Sequence, residues 1–144
     1  MPNYPDAVDA EKVGSYPATA GAGGGYVWDE VLEYRVWCHP ERGAPDEDDG
    51  NDYFYSFPTY EEALQCSEDI TGAEEPLVLI LQREHINEVS PGEYVHVTTV
   101  RIAEWPVEYL NRPRRTPSTI PDFLARDAPP NRLDIIRGHA TESP

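Results

Sequence analysis

"PTYEEALQCSEDITG" (58–72), followed after three residues by "PLVLILQRE" (76–84), decides the architecture. In the first stretch Thr59 is a good N-cap and Glu62 completes a capping box. Glu61 and Glu62 sit where the positive end of a helix dipole favours carboxylates. Tyr60, Ala63, Leu64, Ser67 and Ile70 then recur at spacings of three and four, which predicts one buried face. Gly72 fits the position just past the helix. In the second stretch the unbroken apolar run Leu77–Leu81 is too short for most helices. It suits a central strand covered on both faces.

Outward from this pair the chain reads as strands. "VLEYRVWCHP" (31–40) sets Val31, Glu33, Arg35, Trp37 and His39 against Leu32, Tyr34, Val36 and Cys38. Pro40 ends it, and "DYFYSF" (52–57) predicts an antiparallel partner. "SPG" (90–92) is a turn signal, and "EYVHVTTVRIAEW" (93–105) reads as one long strand that pairs with 76–84. The expected fold class is α+β: a small β-β-α-β-β layer with one main helix on an antiparallel or mixed sheet. "VEYLN" (107–111) adds a helical turn.

The domain expected from this pattern is residues 26–110. Many of the fifteen prolines and ten glycines lie outside it. Residues 1–25, ending in "ATAGAGGG" before Tyr26, are expected as a flexible leader, because small side chains bury too little surface to offset ordering entropy. Residues 111–144 are expected as a flexible Pro/Arg-rich tail carrying short apolar clusters, "IPDFLARD" (120–127) and "NRLDIIRG" (131–138).

The net charge of −16 is divided unevenly. Residues 1–110 hold five Lys and Arg against 23 Asp and Glu, a net of −18, and residues 111–144 hold six Arg against four acids, a net of +2. The acidic body repels nucleic acid and anionic membranes. It favours a basic protein partner or the tail folding back on the body. The densest acid run is "PDEDDGND" (45–52). Neither frame of it, from Asp46 or from Asp48, meets the EF-hand spacing, so it reads as a solvated connection with no metal.

No catalytic motif is complete. "GAGGGY" (21–26) lacks the Lys-Ser/Thr of a P-loop and a preceding strand. No G-x-S-x-G elbow occurs. Cys38 and His39 are neighbours on a strand, so they face opposite ways and make no dyad. His85 and His96 lie on neighbouring segments near Glu84 and Glu93 without metal-ligand spacing. Two lone cysteines fit a reduced compartment, although one disulfide between them is compatible with the sequence. There is no signal peptide pattern and no apolar run of membrane-spanning length. These readings place the protein in the cytoplasm.

Candidate contact residues come from two sources. Trp37, Tyr53 and Tyr55 belong to strands whose second face carries aromatics, which often mark an interface. Phe123, Leu124, Ile135 and Ile136 form the tail's apolar clusters, and Arg112, Arg114 and Arg115 form the basic "RPRRTP" hinge. The tail offers a site for a partner or for self-association.

"DYFYSFPTYEEALQCSEDITGAEEPLVLILQREHI" and "YVHVTTVRIAEWPVEYLNRPRRTPSTIPDFL" resemble a family of small, poorly characterised bacterial proteins often loosely labelled GNAT-type acetyltransferases. The resemblance covers residues 33–124 and implies a bacterial cytoplasmic origin and acetyl-CoA as cofactor. The GNAT pyrophosphate loop, Q/R-x-x-G-x-G/A after a central strand, has its nearest place at Gln82-Arg83-Glu84. No catalytic residue is carried over. The expected function is an acidic, non-catalytic interaction or regulatory module that uses no cofactor. The alternatives are a GNAT-like acetyltransferase or acyl-CoA-binding protein, and an acidic mimic that blocks a basic nucleic-acid-binding protein.

Overall fold

A five-stranded sheet carries one main helix, and a separate two-stranded hairpin stands beside it. The computed structural model describes residues 4–22 and 24–139. The strands are β1 (Gly21–Ala22), β2 (Glu30–Cys38), β3 (Tyr53–Phe57), β4 (Leu77–Gln82), β5 (His85–Ser90), β6 (Glu93–Val97) and β7 (Arg101–Pro106). The helices are α1 (Tyr60–Asp69), α2 (Thr119–Leu124) and α3 (Arg132–Ile136). The order across the main sheet is β1-β7-β4-β2-β3, with β1 parallel to β7 and the other neighbours antiparallel. The molecule is therefore mixed α+β, with more strands than β-β-α-β-β allows.

The helix and central strand form as the sequence predicts. Thr59 accepts the Glu62 amide at 3.2 Å, and Ala63, Tyr60, Cys66 and Ile70 face the core. Leu64, expected on that face, is only half-buried. Gly72 falls in the turn after the helix at φ +83°, where a Cβ would lie 2.5 Å from the Ala44 amide nitrogen. β4 lies between β2 and β7. Its Val78 and Ile80 join Tyr34, Val36, Cys38, Ala103 and Trp105 beneath α1, while Leu79 lies on the opposite face beside Glu33 and Glu104. Cys38 and Cys66 are free thiols whose pKa values burial raises.

Residues 93–105 are two strands. A single strand of that length exceeds the usual three to ten residues. The chain breaks at exposed Thr98–Val100: β6 turns back through Pro91-Gly92 onto β5, and β7 continues on β4. β5 was hidden because "HINEV" mixes polar residues into its alternation.

Both expected flexible ends are built into the fold. Residues 4–22 form a strap. Tyr4 meets Tyr60 edge-on at 4.8 Å, Tyr34 donates its hydroxyl to the Pro5 carbonyl, and the Val8 amide reaches Val31 O at 2.8 Å. The strap then crosses the second face of the sheet and ends as β1. The described part of the tail closes a second core. Ile120, Phe123 and Ile136 are buried with Val27 and Ile86, flanked by Tyr26, Tyr94, Leu124 and Leu133. Hydrophobic burial of these clusters overrides the disorder that proline content suggests. Residues 1–3, 23 and 140–144 of the expected leader and tail lie outside the described residues.

Candidate functional site

Charge is organised in three places, each set by β2 and the segments that meet it. The first is sealed. Alternation sends Glu33, Arg35 and Trp37 away from α1. Glu33 and Arg35 have no solvent exposure, and Arg35 Nε donates to Glu33 Oε2 at 2.6 Å. Arg35 also donates to the carbonyls of Pro17 (2.6 Å) and Ala18 (3.2 Å) on the strap, and to Glu104 Oε2 (3.2 Å). Its guanidinium lies 4.4 Å from the Phe54 ring centroid. Glu33 further accepts the Gly14 amide at 2.8 Å and the Ser56 hydroxyl at 3.0 Å. Each guanidinium nitrogen and both carboxylate oxygens have a partner, as a buried pair requires. Trp37 donates its Nε1–H to Glu104 at 2.9 Å, so the strip proposed as an interface belongs in part to this network.

The second place is the clamp made by the tail. Arg115 donates to buried Asp29 Oδ1 at 2.8 Å and to Glu84 Oε2 at 2.5 Å. Arg114 reaches Glu30 at 2.7 Å and lies over the Trp28 ring. Arg112 stacks 3.9 Å from the Tyr109 centroid, and its carbonyl accepts the Trp28 Nε1–H at 3.0 Å. Beside the clamp, Gln82 donates to the carbonyls of Gly24 and Val27. Gly25 sits at φ +82°, where a Cβ would meet Gln82 Nε2 at 2.3 Å. After β4 the chain passes through Arg83 and Glu84 directly into β5, and no glycine turn follows. Glu84 also receives His96 at 2.7 Å, so the His85–His96–Glu84 grouping is occupied by an arginine–carboxylate–histidine chain. Burial first, then Arg101 and His96, lowers the His85 pKa.

The third place is open. His39 follows β2 and caps a short turn, Pro40–Arg42, before the acid run. Its Nε2 and Glu74 Oε2 are 2.8 Å apart, and Asp52 Oδ1 lies 3.0 Å from Nδ1. Glu74 first, then Asp52, raises the His39 pKa above its ordinary value. Around this histidine Glu41, Asp46, Glu47, Asp48, Asp49 and Asp52 stand exposed along the loop into β3, which forms a sheet edge. No ion pair joins Asp46, Asp48 or Asp49 to a cation among the described residues. Tyr53 donates to Pro45 O at 2.8 Å and Tyr55 to Glu47, which tie the loop to the strand. The Glu47 hydrogen bond raises the Tyr55 pKa.

A cleft of about 400 Å³ lies in the tail between α2, α3 and residues 111–119. Phe123, Ile135 and Ile136 supply its apolar wall, and Thr116, Ser118 and Thr119 its hydroxyls. Those hydroxyls bond one another, and Arg132 donates to Phe123 O at 2.7 Å. Among the described residues no histidine or cysteine lines the cleft.

Of the ten contact residues read from the sequence, Phe123 and Ile136 are buried in the chain's own core, and Leu124 packs against it. Arg112, Arg114 and Arg115 hold the tail to the body. Trp37, Tyr53 and Tyr55 are half-buried, and Ile135 lines the cleft. The sequence reading did not identify the Glu33–Arg35 network or the carboxylates around His39. The first had a signal: opposite charges two apart on a strand next to a strand covered on both faces. The second had none, because Asp52 and Glu74 reach His39 through long-range contacts.

No family model, curated protein or solved structure matches this chain. No helix among the described residues is long and apolar enough to cross a membrane.

Proposed function

We propose that this chain is a non-catalytic protein-interaction module whose acidic end docks a basic protein partner. The observation that carries this reading is the unequal fate of the two charges. Arg35, Arg112, Arg114 and Arg115 are held by the chain's own carboxylates, carbonyls and rings, and Arg132 and Arg137 lie over its aromatic rings. The acids of 46–49 face solvent. Such a surface raises the encounter rate with a cationic partner and disfavours anionic ones. The adjoining edge strand β3 adds unpaired backbone groups to the same end.

The test is capture from lysate of the native cell by the immobilised chain, with Glu93→Gln as the control variant. The expected result is retention of a basic protein that is lost in the quadruple variant D46N/E47Q/D48N/D49N and at about 0.5 M salt, where charges are screened within a few ångströms. Displacement of that protein by DNA narrows the partner to a nucleic-acid-binding protein. Equal retention by the wild type and the quadruple variant contradicts the reading.

A further inference from the structure

We propose that His39, Glu41 and Asp52 form a Zn²⁺ site at the root of the acidic loop. The ligand atoms of these three residues all lie within 4.8 Å of one another. His39 is 9% exposed, and its Nδ1 is buried at the root of the loop. Asp52 Oδ1 pairs with it at 3.0 Å. Two ligands held at about 2.0–2.1 Å by a tetrahedral zinc sit about 3.3 Å apart, so the Nδ1–Oδ1 separation is already close to that of a ligand pair.

The other ring nitrogen completes the pattern. Glu74 Oε2 lies 2.8 Å from Nε2. A carboxylate there holds the Nε2–H while zinc takes the place of the Nδ1 proton, the arrangement that fixes the tautomer of metal-bound histidines. Glu74 is thus a positioning residue. The short turn brings Glu41 back toward the ring: Pro40 opens it and Gly43, at φ +107°, closes it. Glu41 is exposed, and its carboxylate lies within 4.8 Å of the other two ligand atoms.

One imidazole and two carboxylates select a borderline cation. Imidazole suits zinc, whereas calcium and magnesium prefer all-oxygen sets. Three protein ligands leave one coordination position open, and the exposure of Glu41 and Asp52 turns it to solvent. The ion would join the turn before the acidic loop to the start of β3 and so fix both ends of residues 43–52. The site stands independently of what the acidic end docks.

Titration of the full chain with Zn²⁺ against a chromogenic zinc indicator tests it. The expected result is saturation at one ion per chain. E41Q and D52N each weaken binding by about tenfold or more, and D48N/D49N leaves it unchanged. Both single variants alter exposed side chains and keep the fold. In E74A, long-range ¹H–¹⁵N spectra should show His39 losing its Nε2–H preference, with zinc affinity down about tenfold. Absence of saturable binding overturns the proposal. So does loss of binding in D48N/D49N rather than in E41Q and D52N, or displacement of zinc by equimolar Ca²⁺ or Mg²⁺.

Discussion

Two groups of charge a few residues apart along β2 are treated in opposite ways. Glu33 and Arg35 are sealed under the strap with every polar atom matched, and they hold the strap, β2 and β7 in one arrangement. Beyond the end of the same strand, His39 faces the acid run, where carboxylates outnumber cations and stand in water. Buried charge of this kind penalises any arrangement that breaks the pairing, so it ties the fold to one geometry. Exposed charge contributes little to folding and is available to a partner. The sealed group should therefore respond to mutation through stability, and the open one through binding.

The largest effect expected from breaking this contrast is at Arg35. Arg35→Met leaves Glu33 buried without its cation and should cost about 3–5 kcal/mol, measured by urea unfolding. A loss under about 1 kcal/mol would mean that the strap opens and water reaches Glu33. Next comes the second core: Phe123→Ala should cost about 3 kcal/mol or more by the same measurement, whereas a flexible tail predicts no change. Thr59→Ala removes the N-cap of α1 and should cost about 1 kcal/mol, seen as a shift in the urea midpoint. The smallest effect is at the open group. Asp48→Asn with Asp49→Asn should change stability by less than about 0.5 kcal/mol in thermal unfolding, because no cation partners either side chain. Asp49 has φ +50°, a conformation that asparagine adopts readily, so the backbone does not oppose the change.

Local signals explain which parts of the fold were legible. The cap at Thr59 and the apolar run from Leu77 are decided by neighbours in sequence, and both appear where expected. The β2–β3 pair also follows from alternation, Pro40 and a polar connection. The tail is not legible from local signals because its helices are short and gain their stability from elsewhere. Ile120 and Phe123 need Val27 and Ile86, and the Arg115 amide needs Trp28 O at 2.8 Å. The same holds for the leader: nothing in "YPATA" (16–20) announces that the carbonyls of Pro17 and Ala18 serve Arg35. The charge division between body and tail was legible, and so was the possibility that the tail folds back. Which carboxylates the arginines take was not, since Asp29, Glu30 and Glu84 become neighbours only when β2 and β4 pair.

The contrast rests on the tail's arginines being held on the body, which leaves the acidic loop as the free charged surface. Amide hydrogen exchange on the full chain measures this residue by residue. Protection is expected at Arg115, whose amide bonds Trp28 O, and at Asp122 and Ile135 within the short helices, approaching that of β4. Exchange at the unprotected rate throughout residues 112–139 would contradict the account and return the arginines to solvent as the binding surface.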